Sequence, residues 1–167
     1  MTQTTSRRDP ARLAELRNLL ILDTPRQTQY DDLTRRLASV LDVPITMVNL
    51  LDAERDWFKA AVGLPQRESP MATSFCEVFL QTDVPYLVVE DTASDPRFSN
   101  HPLVAGEPGF RFYAAARLTV RDQTVGTLCA YDFRPREVTV SQILELQTLA
   151  RSALELILNE AEARRQA

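Results

Sequence analysis

"PITMVNLLDAERDWFKAAV", residues 44 to 62, decides the fold. "ITMVNLL" is rich in β-branched and apolar side chains, "DAERD" is a polar turn, and "WFKAAV" resumes the apolar character, so the stretch predicts a β-hairpin. Two helices are predicted before it. Asp9-Pro10 reads as an N-cap with proline at the first helical position, and Leu13, Leu16 and Leu20 recur at helical spacing, predicting a helix over 9–22. Thr24-Pro25-Arg26-Gln27 reads as a capping box leading into a longer helix that carries Tyr30, Leu33, Leu37, Ala38 and Leu41.

Beyond the hairpin, "PMATSFCEVFL" sets Phe75, Cys76, Phe79 and Leu80 at one-turn spacing and predicts a short helix capped by Thr73 or Ser74. "YLVVED" is a short strand. Asp95 to Arg111 shows neither period, after which Phe112 to Val120 and Thr124 to Asp132 read as strands joined by "RDQ". Ala114, Ala115 and Ala116 put small side chains on both faces, which implies close packing on each side. Thr139-Val-Ser-Gln142 is a further capping box, and Ile143, Leu146, Ala150, Ala153, Leu154 and Ile157 mark one face of a long helix over 139–165. The order predicts an α+β domain: one central antiparallel sheet of about five strands with helices on both faces.

A chain of 167 residues is the size of one domain with one core. No apolar run approaches the roughly 18 to 20 residues needed to cross a bilayer. Residues 1–8 read as a disordered start with no apolar signal-peptide core, which implies a cytoplasmic location. Net charge is −4 and Lys59 is the single lysine among 19 basic side chains, which are interspersed with acids. That spread leaves no basic stripe for nucleic acid. Cys76 and Cys129 form no CxxC, and with one histidine they exclude a Cys/His zinc site on usual spacings. A reducing compartment disfavours a disulfide between them.

Four stretches carry a family resemblance: "LAELRNLLILDTPRQTQYDDLTRRLASVLDVPITMVNLLDAERDWFKAAVGL", "SFC", "DTASDPRFSNHPLVAGEPGFRFYAAARL" and "VGTLCAYD". In this order, from about Leu13 to Asp132, they resemble the GAF domains at the front of bacterial sensor histidine kinases and diguanylate cyclases. The resemblance implies a PAS-like fold, with the first and last helices on one face of the sheet and the short helix and long loop on the other. It also implies a small ligand under that loop, terminal helices that pair with a second subunit, and a signal passed to an output kinase or cyclase. The chain then reads as a single domain over 1–167, with its core at 25–134 and a signalling helix at 139–165. No cofactor or metal is implied, and neither nucleic acid nor membrane insertion.

On that basis the candidate pocket residues are Phe75, Cys76, Phe79, Asp95, Arg97, Phe98, Phe110, Arg111, Tyr113, Cys129 and Tyr131. The candidate dimer residues are Leu13, Leu16, Leu20, Ala150, Ala153 and Ile157. Cys76 in the first turn of a helix would gain nucleophilicity, and between Phe75 and Phe79 it would equally pack as a small hydrophobe. GAF-type free methionine sulfoxide reductases use further cysteines, one of them in the loop that here has none. Bilin-binding relatives follow their cysteine with histidine, whereas Cys76 precedes Glu77 and Cys129 precedes Ala130. The NKxFxxxDE pattern of cyclic-nucleotide-binding members is absent.

His101, in "SNHPLV", has no paired nucleophile and suits a turn or cap better than general base catalysis. Asp95 fixes the turn it begins. Arg97 and Arg111 could form salt bridges or present guanidinium forks to a carboxylate. Phe98, Phe110, Phe112 and Tyr113 could stack on a ligand or close the core. The expected function is a non-catalytic regulatory domain; the alternatives are a thiol reductase using Cys76 and a structural dimerisation module.

Overall fold

The computed structural model describes residues 4–167; of the start expected over 1–8, Met1 to Gln3 lie outside the described residues. The element order is α1 (Pro10–Asn18), α2 (Thr28–Leu41), β1 (Ile45–Leu51), β2 (Arg55–Val62), β3 (Glu68–Pro70), 3-10 turns at Met71–Thr73 and Cys76–Leu80, β4 (Tyr86–Val89), a 3-10 turn at Thr92–Ser94, α3 (Pro102–Ala105), β5 (Phe112–Val120), β6 (Gln123–Asp132) and α4 (Val140–Gln166). The strands form one antiparallel sheet in the order β3-β2-β1-β6-β5-β4. The expected α+β architecture is present with six strands. The additional one, β3, is a three-residue edge strand ending in Pro70, too short for a period-2 signal and placed where proline is tolerated.

Strand alternation divides the interior into two layers. Leu50, Trp57, Phe112, Ala114, Ala116, Leu128 and Ala130 face α1, α2 and α4, where they meet Leu16, Tyr30, Leu37, Ala150, Ala153 and Ile157. Met47, Phe58, Tyr113, Ala115, Cys129 and Tyr131 face the opposite layer, built from the 3-10 turns and the segment 95–110. The alanine triplet accounts for the closeness of both layers, with Ala114, Ala115 and Ala116 all buried. Between Val48 and Asn49 the β1–β2 register shifts, so that Val48 faces Ala60 while Asn49 faces Phe58. Lys59 is the extra residue of this bulge and turns to the helical layer, while Asn49 and Asp56 stay on the other.

Several expectations need correction. Residues 4–8 are held in place: the Thr5 amide donates to Leu80 O, and Arg7 is buried, donating to the carbonyls of Asp52 and Arg55. A polar composition suggested disorder, but tertiary partners satisfy it. Helix α1 stops at Asn18, because Leu20 takes the left-handed conformation at φ 56° and is exposed. Thr24 does not cap α2; Gln27 occupies the N-cap without a side-chain bond, and the Thr24 hydroxyl donates to Ile21 O. The short helix expected after a Thr73 or Ser74 cap is a 3-10 turn over Cys76–Leu80, with a second 3-10 turn over Met71–Thr73 before it, and neither Thr73 nor Ser74 caps it: Phe75 holds the N-cap position. The segment 95–111 contains α3, with His101 as its N-cap accepting from the Leu103 amide at 3.0 Å.

Helix α4 begins with the expected capping box, in which Thr139 Oγ1 and Gln142 Oε1 accept from each other's amides. At about 1.5 Å per residue it runs some 40 Å along the sheet. It stays attached throughout, because Glu160 bonds α2 and Arg165 donates to Asn18 O at the end of α1. Five of the six residues assigned to a dimer surface, Leu13, Leu16, Ala150, Ala153 and Ile157, are buried within the single chain, and Leu20 lies off the helix. The amphipathic stripe that suggested a partner is the one the sheet itself covers. The large apolar side chains that α4 exposes are Val140, Leu144 and Leu158.

Candidate functional site

A cavity of about 150 Å³ lies on the face of the sheet away from the long helices. Its floor is Met47 and Asn49 of β1, Asp56 and Phe58 of β2, and Tyr131 of β6. Ser69, Thr73, Ser74 and Phe75 form one wall, Leu103, Pro108 and Phe110 the roof, and Leu64 and Gln66 the remaining side. Larger depressions, such as the one of about 600 Å³ beside Arg17, Asp52 and Arg55, are open surface grooves next to paired charges.

The apolar end of the cavity is an aromatic cluster. Phe75 stacks on His101 at 4.2 Å and on Phe98 at 5.2 Å, and it meets Tyr131 edge-on at 5.2 Å. Phe110 lies 5.0 Å from Tyr131. Such offset and edge arrangements fix the rings in place and make the wall rigid.

The polar end is built on Asp56, which is buried. Its Oδ2 accepts from Asn49 Nδ2 at 3.0 Å and from Ser74 Oγ at 2.6 Å, and Arg7 Nη2 stands 2.9 Å from Oδ1. Burial pushes the Asp56 carboxyl up, against the opposing effects of Arg7, Ser74 and Asn49. The Asn49 amide has one sensible orientation, since a carboxylate can only accept. That turns Oδ1 away from Asp56, and no described residue donates to it. Gly126 of β6 lets β1 approach here: a Cβ at this position would fall 2.2 Å from the Asn49 carbonyl oxygen.

The residues singled out from sequence divide. Phe75, Phe110 and Tyr131 line the cavity. Tyr113 and Phe98 lie one ring behind Phe75, at 5.3 Å and 5.2 Å. Phe79 is buried beneath Arg117, whose guanidinium sits 5.2 Å over its ring. Arg117 also donates to the carbonyls of Phe79, Thr82 and Val84 and to Thr124 Oγ1, so it fastens the segment preceding β4. Arg97 forks onto Asp95 at 2.7 Å and 3.0 Å, while the Asp95 carboxylate also caps its own turn through the Arg97 amide. Arg111 forks onto Asp91 at 3.0 Å and 3.1 Å. Neither guanidinium reaches the cavity.

Cys76 and Cys129 are fully buried behind the cavity wall. Burial raises both thiols, and it dominates at Cys129, which is pushed well above its ordinary value. At Cys76, hydrogen bonding from Cys129, Thr127 and Tyr113 outweighs burial and lowers the thiol. The Cys76 sulfur lies 3.0 Å from both Tyr113 Oη and Thr127 Oγ1.

Sequence reasoning missed Asn49 and Asp56, and it read Ser74 as a helix cap. Polar residues in a hairpin read as turn or outward positions, and the one available signal was an asparagine inside the otherwise apolar run "ITMVNLL".

A helix-backed antiparallel sheet that walls a small cavity on its other face defines the class, a compact α+β domain of the PAS-like kind. The sequence pattern of the GAF domain matches residues 25–156, and the chain belongs to the GAF domain family. A cyclic di-GMP phosphodiesterase of Pseudomonas aeruginosa is 35% identical over 127 residues, covering 75% of this chain and 22% of that protein. This chain thus spans about a fifth of the length of that curated relative. The GAF domain of an Acinetobacter phosphoenolpyruvate-protein phosphotransferase has a similar structure, with a TM-score of 0.65 at 19% identity, covering 93% of this chain and 96% of that one. A domain of a two-component sensor histidine kinase protein of Sinorhizobium meliloti gives 0.60 at 23% identity, covering 86% and 100%. At these identities the two structures speak for the fold alone.

Proposed function

We propose that this chain is a non-catalytic regulatory GAF domain that binds a small ligand and controls an output module. The observation that carries the reading is the cavity itself: preformed, walled by rigid rings, and with a polar end at Asn49 and Asp56. The output is an activity such as a histidine kinase, a diguanylate cyclase or the cyclic di-GMP phosphodiesterase for which the Pseudomonas relative is named. Two chains pair through the exposed side of α4 at Val140, Leu144 and Leu158. Ligand binding alters the packing of the terminal segments, and the output module reads that change.

A thermal-shift screen with compounds of up to about ten non-hydrogen atoms tests the reading, since a ligand that binds only the folded state raises the midpoint. Hits should lose their shift in Ser69→Leu, which adds bulk to one wall of the cavity. Shifts equal in both proteins, or none from a broad library, would overturn it. Analytical ultracentrifugation of Leu144→Glu against the unchanged protein tests the pairing, which predicts a dimer that dissociates in the variant.

One observation favours a thiol-dependent reductase, the set of hydrogen bonds that lowers the Cys76 thiol. Cys76 does not line the cavity and has no solvent contact, which leaves a substrate sulfoxide no route to it. Turnover of free methionine sulfoxide that is lost in Cys76→Ser would reverse this preference.

A further inference from the structure

We propose that the cavity selects a single-ring ligand, neutral or cationic, that brings N–H donors to Asn49 and Asp56, and that it rejects anions. The proposal rests on the regulatory reading above and deepens it by assigning the ligand class.

Size sets the first limit. An apolar protein cavity of about 150 Å³ accepts one benzene ring, and the volume here is the same. The walls are suited to a flat body, because Phe58, Phe75, Phe110 and Tyr131 all line the space.

Hydrogen-bond polarity sets the second. Around Asp56 the side-chain donors are turned to other partners: Asn49 Nδ2 and the Ser74 hydroxyl both donate to Asp56 Oδ2, and the Thr73 hydroxyl donates to Pro70 O, while Gln66 and Ser69 are the exposed and half-buried polar members of the lining. The buried group left without a partner on Asn49 is an acceptor. Asn49 Oδ1 has no donor among the described residues and sits on a side chain that is 1% exposed. The Ser74 oxygen retains its lone pairs, and Asp56 Oδ1 has only the ion contact with Arg7. A buried acceptor without a partner is costly, and a ligand N–H donated to it removes that cost.

Charge sets the third. Among the described residues no arginine, lysine or histidine lines the cavity, and its one carboxyl group is that of Asp56. The Arg7 guanidinium is already engaged by Asp56, Glu77 and two backbone carbonyls. A carboxylate or phosphate would shed its hydration next to a carboxyl group and find no cation. An exocyclic amine on an aromatic ring, by contrast, carries two N–H donors, one for Asn49 Oδ1 and one for the carboxyl and hydroxyl oxygens of Asp56 and Ser74.

The test compares three probes of matched shape on the full chain at pH 7: 2-aminopyridine, benzene and benzoate. Binding is followed by ligand-observed NMR and calorimetry. The expected result is 2-aminopyridine binding at least tenfold tighter than the other two, with the preference over benzene lost in Asn49→Leu. Intermolecular NOEs from 2-aminopyridine to the Met47 methyl and the Phe75 ring in the unchanged protein decide the matter if that variant does not fold. Benzoate or benzene binding as tightly as 2-aminopyridine, and competing with it, would overturn the donor class while leaving a ligand-binding domain in place. Binding by none of the three would overturn the class as well, and the Ser69→Leu screen decides the regulatory reading independently.

Discussion

Tyr30 of α2 donates a 2.6 Å hydrogen bond to Glu160 near the end of α4. Gln27 Nε2 donates to the other oxygen of the same carboxylate at 2.9 Å, so a single acid on the terminal helix is gripped by the first turn of α2. Burial and this bond hold the Tyr30 phenol well above its ordinary value. Hydrogen bonds to charged groups are worth about 1.5–3 kcal/mol. Tyr30→Phe should therefore lower unfolding free energy by about 1.5–3 kcal/mol in urea titrations, with an unchanged m-value. A loss below about 0.5 kcal/mol would show that the contact does not hold α4.

Lys59 supplies a pH dependence of definite sign. It lies beneath the same two helices, donating to Thr24 Oγ1 and Pro25 O with Tyr30 at 5.2 Å, and burial lowers its pKa from 10.5 to about 8. Between these values the unfolded chain binds the extra proton, so stability rises with pH from about 8 to 10. The gain is bounded at about 3 kcal/mol, at roughly 1.4 kcal/mol per unit. Above pH 10 the trend reverses, because Tyr30, Tyr113 and Tyr131 are raised by burial and stay protonated after their unfolded counterparts ionise. Urea midpoints of the unchanged protein and Lys59→Met across pH 7–11 should show the rising limb only in the former.

Arg7 and Asp56 form a buried ion pair, and such pairs are costly to halve. Arg7→Met should cost about 3–5 kcal/mol by leaving the carboxylate uncompensated. Without Arg7 the carboxyl would rise further, so this variant should regain stability as pH falls from 7 toward 5, the direction in which the folded state takes up the proton. The double variant with Asp56→Asn should be more stable than the sum of the single losses by more than about 1 kcal/mol. Strict additivity in a urea double-mutant cycle would sink the coupling.

Thiol accessibility separates a packed Cys76 from a reactive one. Both cysteines are free and 0% exposed. Alkylation followed by intact-mass spectrometry should label neither in the native state, and both should react together at the unfolding rate as urea is raised. Rapid modification of Cys76 alone, without denaturant, would contradict this packing.

What the sequence revealed depended on how local the determinant was. The hairpin around Asp52 to Arg55 and the Thr139–Gln142 capping box are specified by adjacent residues, and both form as read. The short helix expected after a Thr73 or Ser74 cap is a 3-10 turn without a side-chain cap, because the Ser74 hydroxyl binds Asp56, eighteen positions earlier. The cavity's rings, Phe75, Phe110 and Tyr131, were legible as aromatics in matching motifs. Its polar end was not, because a buried asparagine and aspartate on neighbouring strands look like surface positions until the bulge opposite Asn49 and the reach of Arg7 are known.

The anchoring of residues 5–18 bears on how fragments of this domain should be cut. The family pattern begins at residue 25 and ends at 156, yet Arg7 neutralises a cavity wall, and the Arg12 guanidinium donates to Arg7 O, Leu51 O and Thr124 O. Trimming to the matched limits would also remove Glu160 and Arg165 and take Leu13, Leu16 and Ile157 out of the core layer that holds Leu37, Leu50 and Val125. Fragments meant for crystallisation or ligand soaking should therefore keep Thr5 through Arg165, or the cavity they display will have lost the cation behind Asp56.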